Sequence, residues 1–247
     1  MRYFLEIAYD GTNFHGWQIQ PNGRSVQEEI NKFLSVLTRE NIMVTGCGRT
    51  DTGVHASQFY LHFDCEFDLQ EQYLLRLNHM LPPDVAIKRI IPVHEKAHSR
   101  FDAVERTYQY RIHFHKNPFI KKYSLYKFGG KPNFELMQQA AQLMLQYEDF
   151  WPLCRQSHDA KTTLCKLTQS FWREENGEYI YTISANRFLR NMIRLTVGAM
   201  LQIGYGKMTL AAFDQHLKTS ERFDILKPAQ PNGLCLTGVK YNYINET

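Results

Sequence analysis

The chain has 247 residues, 43% of them hydrophobic and 22% charged, which is enough apolar material for one large domain or two smaller ones with cores of their own. Its formal net charge of +4 and pI near 8.7 are too mild to demand a nucleic-acid partner, and permit one only if the positive charge collects on one face. No apolar run approaches the ~18 residues of a membrane span, and Met1-Arg2 passes straight into a strand-like segment, so the expectation is a protein without membrane or leader segments. Cys47, Cys65, Cys154, Cys165 and Cys235 are odd in number and contain no Cys-x-x-Cys pair. That pattern fits reduced thiols in the cytoplasm.

The first element is a strand over 3–9, broken at Gly11. Ser25-Val-Gln-Glu28 has the form of a capping box, and Val26, Ile30, Phe33, Leu34 and Leu37 behind it repeat at helical spacing. A second strand is predicted over 58–64. Asp68 is placed to cap a helix carrying Tyr73, Leu74, Leu77 and Leu81, which Pro82-Pro83 ends. Strands are predicted over 85–91 and 107–114, the latter with Tyr108, Tyr110 and Ile112 on one face, and a helix over 134–146. Two strands, 164–172 and 178–184, flank Glu174-Glu-Asn-Gly177, where Asn-Gly supplies the positive φ angles of a hairpin turn. Helices over 187–203, stopped at Gly204, and over 209–218 follow, and a strand over 234–243 closes the chain. This mixture of hairpin-like neighbours and helices predicts an α+β fold with mainly antiparallel sheets. Its two halves divide as 1–104 and 105–247.

The stretch expected to carry chemistry is Gly46-Cys-Gly-Arg-Thr-Asp-Thr-Gly-Val-His-Ala56, with three glycines between a helix and a strand. Such a backbone turns sharply or approaches something closely. A bent loop brings Arg49 within reach of Asp51, where a guanidinium would orient the carboxylate and hold it ionised. A carboxylate ionised at neutral pH is a weak general base, and suits attack on a sugar carbon or stabilisation of positive charge there. An Asp that caps a turn and is salt-bridged to Arg reads equally from the same residues.

Two further elements bear on substrate. In Arg106-Thr-Tyr-Gln-Tyr110, Tyr108 is either a ring that stacks on an extruded base, worth about 1–3 kcal/mol, or a strand residue packed in the core. On the predicted helix from Asn186, residues Arg187, Arg190, Asn191 and Arg194 recur at i, i+3, i+4 and i+7 and form a basic stripe opposite Leu189, Ile193, Val197 and Met200. That stripe suits phosphates or, equally, open solvent.

Competing signals are weaker. His94-Glu95-Lys-Ala-His98 has the H-E-x-x-H spacing of a zinc metallopeptidase, but Pro92 upstream and a strand downstream leave no long apolar helix to carry the pair. Asp10-Gly-Thr12 lacks the nucleophile of an aspartyl-phosphate motif, because Ala8 stands in its place; Asp10 is read as a turn residue. A non-catalytic RNA-binding protein would use the same basic and aromatic surface, and would have no reason to frame an Arg and an Asp with glycines.

Gly48-Arg-Thr-Asp-Thr-Gly-Val-His-Ala56 closely resembles the signature of the tRNA pseudouridine synthase A family. The resemblance extends through Tyr9-Asp-Gly-Thr-Asn-Phe-His-Gly-Trp-Gln18, Arg24-Ser-Val-Gln-Glu28, Asn78-His-Met-Leu-Pro82, His98-Ser-Arg-Phe101, Arg106-Thr-Tyr-Gln-Tyr110, the run Asn186 to Gly198 and Pro231-Asn-Gly-Leu234. It implies a pseudouridine synthase fold with two α/β subdomains flanking a basic central cleft. It further implies a homodimer that grips tRNA, and conversion of uridine to pseudouridine at nucleotides 38, 39 and 40 of the anticodon stem-loop without metal or organic cofactor. On the matching positions, Asp51 is the catalytic aspartate, Arg49 its ion-pair partner, Tyr108 the tyrosine stacked on the target base and Arg194 a basic residue of the cleft. The single loop carboxylate agrees with an isomerase, since a hydrolase needs a second one to activate water. Two stretches depart from the family pattern: Ser99 stands where Ala is usual, and Asp149-Phe-Trp-Pro-Leu-Cys154 lacks the small polar residues expected after its Phe.

Overall fold

The computed structural model describes residues 1–155, 162–223 and 226–244. The chain gathers into two compact units, Met1–Arg106 with Cys235–Thr247, and Thr107–Leu234. The first contains β1 (Arg2–Tyr9), α1 (Val26–Thr38), β2 (Thr45–Gly46), β3 (His55–Asp64), α2 (Tyr73–Met80) and β4 (Val85–Val93). Strand β5 (Glu105–His113) leads into the second, which continues with β6 (Leu125–Tyr126), α3 (Phe134–Leu143), β7 (Leu167–Glu175), β8 (Glu178–Ala185), α4 (Met192–Gly204) and α5 (Leu210–Thr219). Strand β9 (Leu234–Lys240) returns to the first unit. The architecture is mixed, and the sheets are mostly antiparallel, as predicted.

In the first unit the strand order is β4-β1-β3-β9, with β2 also on β3. Strand β1 lies antiparallel between β3 and β4, and β9 joins β3 in parallel at His55↔Cys235 and Ala56↔Leu236. A strand flanked on both edges has little solvent to face, and Tyr3, Phe4, Leu5 and Ile7 are all buried. Glu6 is buried among them and is tolerated because it is paired. Tyr60 donates to it at 2.9 Å, Gln58 at 3.3 Å, and Arg89 lies 3.4 Å away. Helix α1 starts where the capping pattern puts it, with the Glu28 N–H donating to Ser25 Oγ at 3.2 Å, and buries Val26, Ile30, Leu34 and Leu37. Helix α2 starts later than predicted. Asp68 does not cap it but accepts from Gln70 at 2.6 Å, while Leu69 is buried and its N–H donates to Tyr3 Oη at 3.1 Å. Anchoring Leu69 holds 68–72 out of the helix, which begins behind Gln72 with no side-chain cap.

In the second unit the order is β5-β8-β7, with β6 on β5. The β7–β8 hairpin turns at Asn176 and Gly177, whose φ angles of 52° and 80° are both positive, as the Asn-Gly pair predicts. Helix α4 is buried nearly all round, with Val197, Ala199 and Met200 in the core. Trp172 stacks on Tyr181 with centroids 5.0 Å apart and donates to Met200 Sδ at 3.2 Å.

Ser99, the first departure from the family pattern, is fully buried and has partners. Its hydroxyl donates to the Thr45 carbonyl at 2.8 Å and lies 2.8 Å from His62 Nδ1, to which the Ser99 N–H also donates at 3.2 Å. Burial, and then the neighbouring His98 and Arg2, pull the His62 imidazole down to about 4. Between about pH 6.5 and 4 the unfolded chain therefore binds a proton here that the folded chain does not, and stability falls as pH falls through that window. His62→Gln is expected to show a smaller drop in Tm between about pH 7 and pH 5 than the native chain, measured calorimetrically; an equal drop would assign the acid sensitivity to other groups.

Candidate active site

The glycine-framed loop runs from β2 to the start of β3, and the segment 10–17 clamps its backbone. Trp17 N–H donates to Thr50 O at 3.2 Å, Gly53 N–H to Phe14 O at 3.3 Å, and within the loop Val54 N–H donates to Asp51 O at 3.1 Å. Thr50 is buried, and its hydroxyl lies 2.9 Å from Tyr9 Oη. Gly16, at φ +87°, lies flat against this backbone: a Cβ there would sit 2.4 Å from Thr50 O and 3.1 Å from the Asp51 carbonyl carbon. Gly11 meets Val54 in the same way, at 2.0 Å from its carbonyl oxygen. The loop is therefore seated on two glycines from a segment about forty positions earlier.

Asp51 is half-buried at the crown of this turn. Arg49, on the same turn, is exposed. His55, third ionisable residue of the loop, is buried, with Nδ1 3.0 Å from Gly11 N and 3.2 Å from Asp10 Oδ1. It serves the clamp. Asp10 is the turn residue the sequence indicated, accepting from the Thr12 N–H at 2.9 Å. Cys47 is buried, and desolvation pushes its thiol up to about 11, so it stays neutral and is no rival nucleophile. Arg106 supports the loop from its other side. Its guanidinium donates to Cys47 O at 3.0 Å, Arg100 O at 2.6 Å and Ala103 O at 2.8 Å.

The remaining predicted residues lie in the second unit. Tyr108 is half-buried on β5 and meets Phe188 edge-on at 5.2 Å, with 87° between the rings. The basic stripe is not a helix face. Helix α4 begins at Met192, behind Asn191 with a left-handed φ of 60°, so Arg187 and Arg190 lie before it. Hydrogen bonding decides this. Asn186 exchanges two bonds with Lys166, accepting at 2.8 Å and donating its N–H at 3.2 Å, and the Arg190 carbonyl accepts from Arg155 N–H at 3.0 Å. A helical backbone would need that carbonyl for residue 194. Arg194 is on the helix, half-buried, with Nε donating to Ala229 O at 2.7 Å and its guanidinium to Asn191 Oδ1 at 3.2 Å.

The H-E-x-x-H segment is a turn following β4, so its imidazoles are not a helical turn apart on one face. His98 instead lies against His62 and Phe101, and His94 against Tyr243. Among the described residues no group of three or more His, Cys, Asp or Glu is placed to hold a metal ion, and no helix is long and apolar enough to cross a membrane. None of the five cysteines is in a disulfide. Trp151-Pro-Leu153, in the second departing stretch, forms a 3-10 turn with Pro152 and Leu153 buried; 156–161 lie outside the described residues.

A family model described as tRNA pseudouridine synthase matches residues 140–242. A tRNA pseudouridine synthase A of Bacteroides thetaiotaomicron is 43% identical over 97% of this chain and 90% of its own length. The chain belongs to the tRNA pseudouridine synthase A family. A family member of Bacillus subtilis is 32% identical over 98% of this chain and all of its own length, and one of Azobacteroides pseudotrichonymphae is 40% identical over 97% of this chain and 96% of its own. These matches run through both units, so family membership covers the Asp51 loop as well as Tyr108 and Arg194.

Sequence reasoning found the loop and missed what holds it: Gly16, Gly11, the Tyr9–Thr50 contact and Arg106. Gly11 and Gly16 in the segment ahead of Trp17 were the available signal, but only coordinates give them a partner. Gly16→Ala is expected to destabilise the fold by about 1–3 kcal/mol, through the strained φ and the contact with Thr50 O. Because the displaced atoms include the Asp51 backbone, kcat should fall in the fraction that stays folded. Circular dichroism with single-turnover kinetics checks this, and an unaltered rate constant would mean that the contact does not position Asp51.

Proposed function

We propose that this member of the tRNA pseudouridine synthase A family isomerises uridine to pseudouridine at nucleotides 38, 39 and 40 in the anticodon stem-loop of tRNA, with Asp51 as the catalytic carboxylate. The observation that carries the reading is the seating of the Asp51 loop: a half-buried carboxylate on a backbone fixed by Gly16, Trp17, Phe14 and Tyr9. A group fixed in advance spends nothing on reorganisation when charge develops opposite it. Gly48 supports the same reading. A Cβ there would meet nothing within 4 Å and its φ is not positive, so neither packing nor backbone conformation asks for glycine. Close approach of a substrate backbone does.

The reaction breaks the bond from ribose C1′ to uracil N1, turns the detached base and joins C1′ to C5; the C5 proton leaves to solvent and N1 regains one. Because nothing is hydrolysed, no second carboxylate is required. An anion at position 51 can bond to C1′, add to the uracil ring or assist proton removal at C2′, and each route passes through this one side chain. In this reading Tyr108 stacks on the target base and is a candidate base near C5. Arg49, exposed in the free chain, closes on the RNA beside Asp51, and Arg187, Arg190 and Arg194 meet phosphates as separate cations on a turn and a helix start. The family resemblance supports a basic cleft between a catalytic-loop subdomain and the C-terminal part of the chain, a homodimer and a cytoplasmic setting.

Asp51→Asn should bind tRNA with affinity within a few-fold of native and release no tritium from tRNA labelled at uracil C5. Turnover by that variant would sink the assignment. Mapping of pseudouridine in tRNA from cells with and without the protein tests the three positions.

A further inference from the structure

We infer that the segment 115–131, between β5 and α3, is a second RNA-contacting surface that grips tRNA by phosphates and unpaired bases; this rests on the reading of the chain as a tRNA enzyme. The segment reads His-Lys-Asn-Pro-Phe-Ile-Lys-Lys-Tyr-Ser-Leu-Tyr-Lys-Phe-Gly-Gly-Lys. It holds five of the chain's 29 Lys and Arg and none of its 25 Asp and Glu. Since the whole chain carries only +4, this one segment accounts for all the excess positive charge, and the remainder is slightly acidic on balance. Its lysines are interleaved with aromatic rings in the open: Phe119 is 89% exposed and Phe128 86%. Large exposed rings interleaved with lysines are a poor solution for solubility alone and a good one for stacking on bases along a phosphate backbone. Lys131 is taken by Glu174 at 2.7 Å, but Lys116 and Lys121 are exposed and reach no carboxylate among the described residues.

The segment is anchored. Asn232, in the Pro231-Asn-Gly-Leu234 motif, donates to Lys121 O at 3.0 Å and to Ser124 O at 3.1 Å. Ser124 Oγ lies 2.9 Å from His113 Nδ1, the Lys127 N–H donates to His113 O at 2.9 Å, and Tyr205 donates to Gly130 O at 2.9 Å. The motif also seats the base of β5: Tyr110 donates to Gln230 O at 2.7 Å, and a Cβ on Gly233 would lie 2.8 Å from Arg111 O. One short motif thus fixes both the strand that carries Tyr108 and the basic segment beyond it. A backbone held in place before binding loses little freedom on contact. A second copy of the chain is a worse occupant than RNA, because a two-fold contact would set lysines against lysines with no acid in the segment to offset them.

The test measures binding of full-length tRNA at several salt concentrations, together with KM and kcat, on three intact proteins: native, Lys116→Ala/Lys121→Ala, and Phe119→Ala/Phe128→Ala. The lysine variant is expected to reduce the slope of log K against log salt by about one to two, and the phenylalanine variant to weaken binding about tenfold, both effects falling on KM rather than kcat. Unchanged slope and affinity in both variants overturn the inference, as does loss of kcat with KM unaltered. So does conversion of the phenylalanine variant to a smaller assembly by sedimentation with the salt slope intact, which would make the patch a contact between copies. Because binding is read separately from turnover, a native protein that binds tRNA through this segment but forms no pseudouridine would refute the proposed reaction and leave the surface standing.

Discussion

The site depends on one backbone-to-backbone contact, the seating of Gly16 against Thr50 and Asp51. No side chain intervenes, and the space is smaller than a methyl group. Hydrogen bonds fix the two segments on either side, Trp17 to Thr50 and Gly53 to Phe14, and Trp17 packs against Phe59 with 4.2 Å between tilted rings. Interiors packed to this density transmit displacement instead of absorbing it. The carboxylate at position 51 is thereby held by atoms that do not themselves take part in chemistry, and the conformational cost of positioning it is met when the chain folds.

Much of this was legible in the amino-acid order. The alternation over 3–9, the Ser25 cap and the Asn176-Gly177 turn are local signals, and local hydrogen bonding decides them. The Asp51 loop was legible for the same reason, since glycines concentrated between a helix and a strand announce an unusual backbone. What failed was local reading where distant partners compete. Residues 187–190 have helical periodicity, yet the Arg155 N–H claims the Arg190 carbonyl that a helix would use. Asp68 looks like a cap, yet burial of Leu69 sets where the chain can turn.

Bulk charge was misleading in a different manner. A net +4 spread evenly would be unremarkable, and an average over the chain cannot show that one connecting segment carries all of it. The Asp51 loop and the lysine-rich segment thus come from different stretches of sequence with different demands: a backbone packed against Gly11 and Gly16, and an open, anchored strip of lysine and phenylalanine.

Strand β9 has a consequence for how the protein comes into being. It pairs with β3 at His55 and Ala56, directly beyond the Asp51 loop, yet its residues are translated roughly 180 positions after them. Until they emerge from the ribosome, the edge of β3 exposes unsatisfied amides and carbonyls, a surface that invites adventitious strand pairing. The first unit is the first to be synthesised and the last to be completed. Nascent chains must wait with that edge open, or covered by a chaperone, while the whole second unit is synthesised.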